Sequence, residues 1–319
     1  MYMQNINSCR FCDEIAKTRI VNVFGKELKL KNYICSSDGI HYKEKPKDIQ
    51  LQVSICPTSF CSANCPFCIA TNTKRKQFVD LVKLEYCLTK LHNENLVRGI
   101  SFTGGEPFTD VKLLNEIINL AFEVFGTSIE ISITTNGTNL HRMHEIEKLS
   151  YLEALHISRH HYDDQINASL FGVRVPTKEE LSEFLHSVSY KDLFVLNCML
   201  LRDYIGTQVE AHNFLDFAID VGAGKVAFIT CSQINDFART QALDYEKVLC
   251  ADDPSLLFTR GFQDFDLCKC QDGVYASATG EIIEFYGRKT NVSDCEYCRG
   301  FVYGADNHLR IGFNGEIIL

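Results

Sequence analysis

Six segments that read as strands alternate with segments that read as helices between residues 48 and 230, and this rhythm constrains the fold more than any other feature of the chain. The strands are 48–55 (DIQLQVSI), 98–103 (RGISFT), 128–135 (SIEISITT), 152–158 (LEALHIS), 193–201 (LFVLNCMLL) and 225–230 (KVAFIT). The helices are 76–94, 110–125, a short one over 139–150 (NLHRMHEIEKLS), 177–188 and 208–224. In 110–125, Leu113, Leu114, Ile117, Ile118, Ala121, Phe122 and Phe125 recur on one helical face, with Thr109 or Asp110 as a cap. Thr177 and Glu180 have the spacing of a capping box. A strand that is followed by a helix enters its neighbour in the same direction. The pattern therefore predicts an α/β fold with a parallel sheet, either open or curved into a barrel.

Charge and apolar runs narrow the setting. A net charge of −9 exerts no long-range pull on nucleic acid or on an anionic membrane. No apolar run approaches the ~18 residues of a membrane span, and the first residues, MYMQNINSCRFC, lack the apolar core of a signal peptide. A cytoplasmic protein that binds neither nucleic acid nor membrane is expected. Disulfides are rare in that compartment, so the 15 cysteines point to metal ligation. They cluster at 61–68 and 268–298, with Cys9 and Cys12 as a further pair that has no evident fourth ligand. Cys87, Cys198 and Cys250 stand alone and read as small buried hydrophobes.

In parallel α/β folds the chemistry gathers where strands end. Those ends carry CPTSFCSANCPFC, TGGEP, TTNGT, SRHHYDD, NCMLLRDY and TCSQ, all on one rim. The stretch CSANCPFC (61–68) holds three cysteines at C-x3-C-x2-C with no fourth in place. Zinc completed by Cys56 is one account of it, but leaves TGGEP and the strand rhythm unexplained.

CSANCPFC followed by TGGEP after the next strand resembles the radical S-adenosylmethionine (SAM) superfamily over roughly residues 48–232. The resemblance implies a partial (β/α)6 TIM-like barrel in which Cys61, Cys65 and Cys68 hold three irons of a [4Fe–4S] cluster. SAM would chelate the fourth iron. Its reductive cleavage to methionine and a 5′-deoxyadenosyl radical, which takes a hydrogen atom from substrate, is what the family does. The cofactor-binding residues it implies are Phe67 beside the adenine, Gly104, Gly105 and Glu106 at the SAM amino group, Thr135 and Asn136 in the TNG loop, Ser158 near the ribose and Asn197 on the fifth strand. As a plain turn, Asn136-Gly137 has an equally simple account.

TTNGT, LHIS, LNCMLL and FIT are similar to the branch that holds the GTP 3′,8-cyclase of molybdopterin biosynthesis and the SPASM/twitch enzymes, as is CEYCRG followed by LRIGFNGEIIL. The cyclase pattern is not complete. Its arginine and lysine positions are Ser101 and Val195 here, and a third tail cysteine and a Gly-Gly tail do not follow. Without those cations a triphosphate has no partner, so cyclisation of GTP is not expected.

The tail reads as an internal repeat. CKCQDGVYASATGEII (268–283) and CEYCRGFVYGADNHLRIGFNGEII (295–318) each carry a cysteine pair, a Val-Tyr and a GEII. Two hairpins with two thiolates each would make a small C-terminal twitch/SPASM-like domain. In it Cys268, Cys270, Cys295 and Cys298 hold a second [4Fe–4S] cluster, or zinc in a structural ribbon. The expected organisation is an N-terminal extension (1–47), the core (48–232), a linker (233–266) and the auxiliary domain (267–319).

Substrate candidates come from the loop after the fourth strand and from Cys231. His156 shares a strand face with Ser158, and Arg159, His160 and His161 crowd the rim, where they could hold a polar substrate. Alternatively Asp163 or Asp164 caps a helix and the rest is solvated. Cys231 could donate a hydrogen atom to a substrate radical or be a buried thiol. The reading reached is a radical SAM enzyme acting on a peptide, served by a flavodoxin- or ferredoxin-type electron donor. The alternatives are action on a small polar metabolite and a non-catalytic metal-binding protein.

Overall fold

The computed structural model describes residues 19–30, 51–69, 76–243, 248–249, 258–259, 272–277, 279–288, 298, 300–313 and 315–319. A hairpin of β1 (Arg19–Val23) and β2 (Lys26–Leu30) comes first, turning at Phe24-Gly25 with φ of 50° and 77°. Six strands then follow where the alternation predicts them: β3 (Leu51–Ile55), β4 (Val97–Phe102), β5 (Glu130–Thr135), β6 (Ala154–Ser158), β7 (Phe194–Leu200) and β8 (Lys225–Thr230). They lie side by side in chain order and all pair in parallel. A sheet wound always the same way keeps its helices on one face, as in a TIM-like barrel wall.

The helices are α1 (Leu81–Asn93), α2 (Val111–Phe125), α3 (Asp164–Phe171), α4 (Lys178–Ser187), α5 (Gln208–Asp220) and α6 (Asp236–Gln241). Asp80 caps α1 through Val82 N and Lys83 N, Asp110 caps α2 through Leu113 N, and the Thr177–Glu180 capping box closes on α4. Leu84, Leu88 and Leu91 of α1 and Leu114, Ile117 and Ile118 of α2 enter one core with Val53, Ile55, Ile100, Phe102, Ile131 and Ile133 from the strands. Cys87 and Cys198 are fully buried in that core, as small hydrophobes; Cys250 lies outside the described residues.

On the other face, half-buried polar residues alternate with these core positions. Ser54, Ser101 and Ser132 stand in register across β3, β4 and β5. Thr134 pairs with His156, and Ser158 with Asn197. The wall beyond is apolar, where Val195, Ala227 and Tyr286 pack together.

One segment between the strands differs from the sequence reading. The helix expected over 139–150 is two 3₁₀ turns, Leu140–Glu145 and Leu149–Tyr151, neither with a side-chain cap. The alternative reading of Asp163 as a helix cap holds, since Asp163 accepts from Gln165 N and Ile166 N at the start of α3, but Arg159, His160 and His161 before it are buried and not solvated. The tail also has its own arrangement. β9 (Phe258–Thr259), β10 (Asp272–Ala276) and β11 (Ile282–Arg288) extend the sheet at β8, while β12 (Gly300–Tyr303) and β13 (Leu309–Ile311) extend it at β3. Both hairpins exist, but the described strands continue the barrel sheet at its two opposite edges. The two repeats also use different strands: β12, with Val302-Tyr303, runs parallel to β3, whereas β10, with Val274-Tyr275, is separated from β8 by β11.

Candidate active site

The site is assembled from loops that leave the carboxyl ends of β3, β4, β5 and β6. Backbone pairing docks the first two. Gly105 N donates to Thr58 O (3.1 Å) and Glu106 N to Phe60 O (2.8 Å), so the GGE turn lies along the chain that leads into Cys61. Both glycines are required by this approach. Gly104 has φ of 100°, and a Cβ there would meet Cys56 Cβ at 2.5 Å. One on Gly105 would run into the carbonyl oxygens of Phe60 and Thr58.

Glu106 is 1% exposed and knits the second loop to the third. Its Oε1 accepts from Thr135 Oγ1 (2.7 Å) and Phe108 N (3.1 Å), and its Oε2 from Asn136 N (2.7 Å). Burial pushes its carboxyl up to about 7, against the pull of these three donors. Both carboxylate oxygens are thus engaged within the protein.

Asn136 joins the third loop to the cysteines. Thr138 N and Thr138 Oγ1 both donate to its Oδ1, at 2.9 and 2.8 Å. A backbone N–H can only donate, so this atom is the oxygen and the other is the amide nitrogen. Nδ2 donates to Ser62 Oγ (2.9 Å) and to Cys61 Sγ (3.6 Å). Ser62 Oγ lies 2.7 Å from Thr138 Oγ1, whose own proton is already committed, so Ser62 donates there and a closed ring of three donors results.

Cys61, Cys65 and Cys68 are half-exposed on one loop. Cys61 Sγ also accepts from Ala63 N (3.4 Å), and Cys68 N donates to Cys65 O (3.1 Å). Burial first, then the nearby thiolates, raise the Cys65 thiol to about 12; burial likewise leads the upward shift of Cys61, with Glu106 and Cys68 adding to it. Cys61 and Cys65, two neighbouring thiols that resist ionising, suit a strongly electropositive partner. Among the described residues no three Cys, His, Asp or Glu side chains are gathered closely enough for one metal ion. Cys56 is no fourth ligand by its surroundings: it packs on Gly104, and the charges beside it are Asp306 and Arg310. Three thiols on one loop of the rim, with no fourth beside them among the described residues, match a cluster with one open iron better than a four-coordinate zinc ion.

Phe67 is buried between the rims. His160 meets it edge-on at 5.0 Å and Phe237 tilts against it at 6.5 Å. Asn235, which caps α6, donates from Nδ2 to Pro66 O (2.8 Å) and so ties the loop after β8 to the cysteine loop. His156 Nδ1 lies 3.0 Å from Asn197 Oδ1, and Ser158 stands beside Asn197 in register. These three share the polar face of the barrel wall.

The loop after β6 is built inward. Arg159 is 2% exposed, and its guanidinium donates to His161 O, Pro176 O, Tyr162 O and Asp164 Oδ1 while lying over the Phe217 ring. It therefore holds the 159–178 segment together and has no face turned to a ligand. His160 stacks on Phe171 and accepts from Met199 N at Nδ1 (3.1 Å); burial pushes it down to about 3, so it is neutral. His161 accepts from Asp163 N at Nδ1, and burial lowers it too. Cys231 is 2% exposed in a cluster with Phe67, Leu170 and Leu201, and burial raises its thiol to about 11. Of the tail cysteines, Cys268, Cys270 and Cys295 lie outside the described residues, as do Cys9 and Cys12. Cys298 is buried, and its amide donates to Lys29 O (2.8 Å) at the entry to β12. β12 is parallel to β3, which places Cys298 at the end of the sheet opposite to Cys61.

Sequence reasoning missed Ser62, Thr138, Asn235 and Asn167, whose Oδ1 accepts from His160 N and His161 N. Only Asn235 carried a local signal, as a helix cap.

A family model described as the radical SAM superfamily matches residues 55–212. A Sulfurisphaera tokodaii protein named "Probable GTP 3',8-cyclase" is 26% identical over 200 residues, which are 60% of this chain and 61% of that protein. The Bacillus subtilis protein YfkA is 28% identical over 176 residues, 53% of this chain and 44% of its own length. Among solved structures, Streptococcus suis SuiB bound to S-adenosylmethionine has a TM-score of 0.56 at 14% identity, over 84% of this chain and 63% of SuiB. The last likeness is one of fold. The chain spans less than two thirds of each relative's length. The matched segment, residues 55–212, is a radical SAM superfamily domain, and it is this segment that builds the three-thiol rim.

Proposed function

We propose that this chain is a radical SAM enzyme that cleaves SAM reductively and takes a hydrogen atom from an uncharged polar substrate, a peptide before a small polar metabolite. The observation that carries the reading is the joining of the three-thiol loop to the GGE and TNG loops through Glu106 and Asn136. When bound, a [4Fe–4S] cluster with SAM on its open iron supplies the electron and the adenosyl radical.

The chain's own residues supply position. Cys61, Cys65 and Cys68 hold the cluster, Gly104 and Gly105 let backbone approach the methionine end of SAM, and Phe67 offers its ring to the adenine. Ser158 and Asn197 serve the ribose, with His156 beside them. Ser54, Ser101, Ser132 and Thr134 present hydroxyls in rows on the half-buried face. Charges at the other end of these strands are paired, Arg98 with Glu130 (2.9 Å) and Lys225 with Glu284 (3.3 Å). Hydroxyls, an imidazole and an amide suit the amide and hydroxyl groups of a peptide better than a phosphate. A flavodoxin- or ferredoxin-type donor in a cytoplasmic setting would bring the electron. A second cluster on Cys268, Cys270, Cys295 and Cys298 would lie toward the opposite end of the barrel, where Cys298 is.

The test is EPR of the anaerobically reconstituted, dithionite-reduced protein. A reduced [4Fe–4S] signal that changes on adding SAM, and that Cys61→Ala abolishes, supports the reading. A signal indifferent to SAM would make this an iron–sulfur protein without the proposed activity.

A further inference from the structure

Asn136 spends its hydrogen-bonding capacity in an uneven way. Its oxygen and one of its two amide hydrogens are consumed in the ring with Thr138 and Ser62. Thr138 N can only donate, so the amide cannot flip without setting N–H against N–H. The backbone N–H of the same residue is fixed on Glu106, and the residue is 8% exposed. One amide hydrogen is left, and the ring aims it at Cys61 Sγ. A simple turn would need the Asn136 side chain only to accept from Thr138; it has no use for a donor held against a thiol.

We propose that Asn136 is a positioning residue that sets the reduction potential of the cluster through its hydrogen bond to Cys61. This rests on the cluster assignment made above. An N–H aimed at a ligating sulfur stabilises the reduced, more negative form of a cluster, and hydrogen bonds to the sulfurs are among the determinants of its potential. The Ala63 N–H reaches the same sulfur but belongs to the loop itself. Asn136 comes from the loop after β5, so it also couples the potential to the seating of the GGE turn through Glu106.

The test is an EPR-monitored redox titration of the reconstituted full chain against an electrode, for the one-electron couple. Asn136→Asp keeps an oxygen for Thr138 but has no donor for Cys61. Its reduced-to-oxidised ratio at a fixed potential is expected to fall about tenfold, a midpoint ~59 mV lower. Asn136→Ala, which adds no charge, shifts in the same direction by less, and it serves if the Asp variant does not take up iron. Ser62→Ala opens the ring but leaves the Cys61 donor, and its midpoint stays near that of the parent. Asn136 variants with normal iron content and an unchanged midpoint would overturn the proposal, as would a Ser62→Ala shift equal to that of Asn136→Asp. A parent protein with no [4Fe–4S] signal would instead remove the cluster assignment, and this inference with it.

Discussion

Glu106 is the residue on which the rim's order most depends, and its ionisation gives a signed prediction. Its carboxyl is raised by burial from 4.5 to about 7 in the folded chain. Between those values the folded form keeps a proton that the unfolded form releases. The stabilisation is complete below the unfolded value and is lost as pH rises through the folded one. Wild type should therefore lose stability relative to Glu106→Gln as pH rises from 5 to 8, as read from urea midpoints. A difference independent of pH would show that the carboxyl titrates normally. The same scale explains why some residues were legible in sequence and others were not. Cys61, Cys65 and Cys68 announce themselves by spacing, but Ser62 and Thr138 meet only through folding, 76 positions apart. Arg159 looks like a substrate anchor because it sits at a strand end; three of its four partners are backbone carbonyl oxygens, which no sequence pattern marks.

At the scale of elements, alternation located all six parallel strands because each buries one face against helices. The α3 segment, DQINASLF, is signalled in the sequence only by its cap, Asp163, because it buries only Asn167, Leu170 and Phe171, too few for a period to show. Residues 139–150 looked helical, but the segment has no side-chain cap at Asn139 and settles into 3₁₀ turns. The turn after β4 carries the sharpest element-scale prediction. A Cβ at Gly105 must displace the backbone of Phe60, one residue before the first thiol. Gly105→Ala should cost roughly 1–3 kcal/mol, as overpacking does, and should lower iron incorporation, measured together by thermal unfolding and metal analysis. Full iron loading at unchanged stability would mean that the loop yields freely and that the close approach has no role.

For the whole molecule, the sequence repeat in the tail correctly indicated hairpins but not where they go. Val-Tyr lies in the first strand of each hairpin, but the first GEII leads into β11 whereas the second follows β13 and bridges back to it through Arg310 and Ile317. Which sheet edge a hairpin joins is decided by backbone groups common to every sequence. One unit joins β8 and the other β3, so the tail extends the sheet at both of its edges. Cys298 enters β12 at the end of the sheet away from the three-thiol rim. If it belongs to a second cluster, Cys298→Ser should lower iron by up to about half while sparing the SAM-responsive EPR signal. Unchanged iron together with loss of stoichiometric zinc would show a structural ribbon instead.

The central claim is that the three-thiol rim makes SAM chemistry possible, and production of 5′-deoxyadenosine tests it most directly. The reconstituted chain is incubated anaerobically with SAM and dithionite, beside Cys61→Ala treated in the same way, and both are followed by chromatography. The account predicts time-dependent 5′-deoxyadenosine and methionine from the parent chain and none above background from Cys61→Ala. Equal amounts from the two, or none from a parent that carries its full iron, would contradict it.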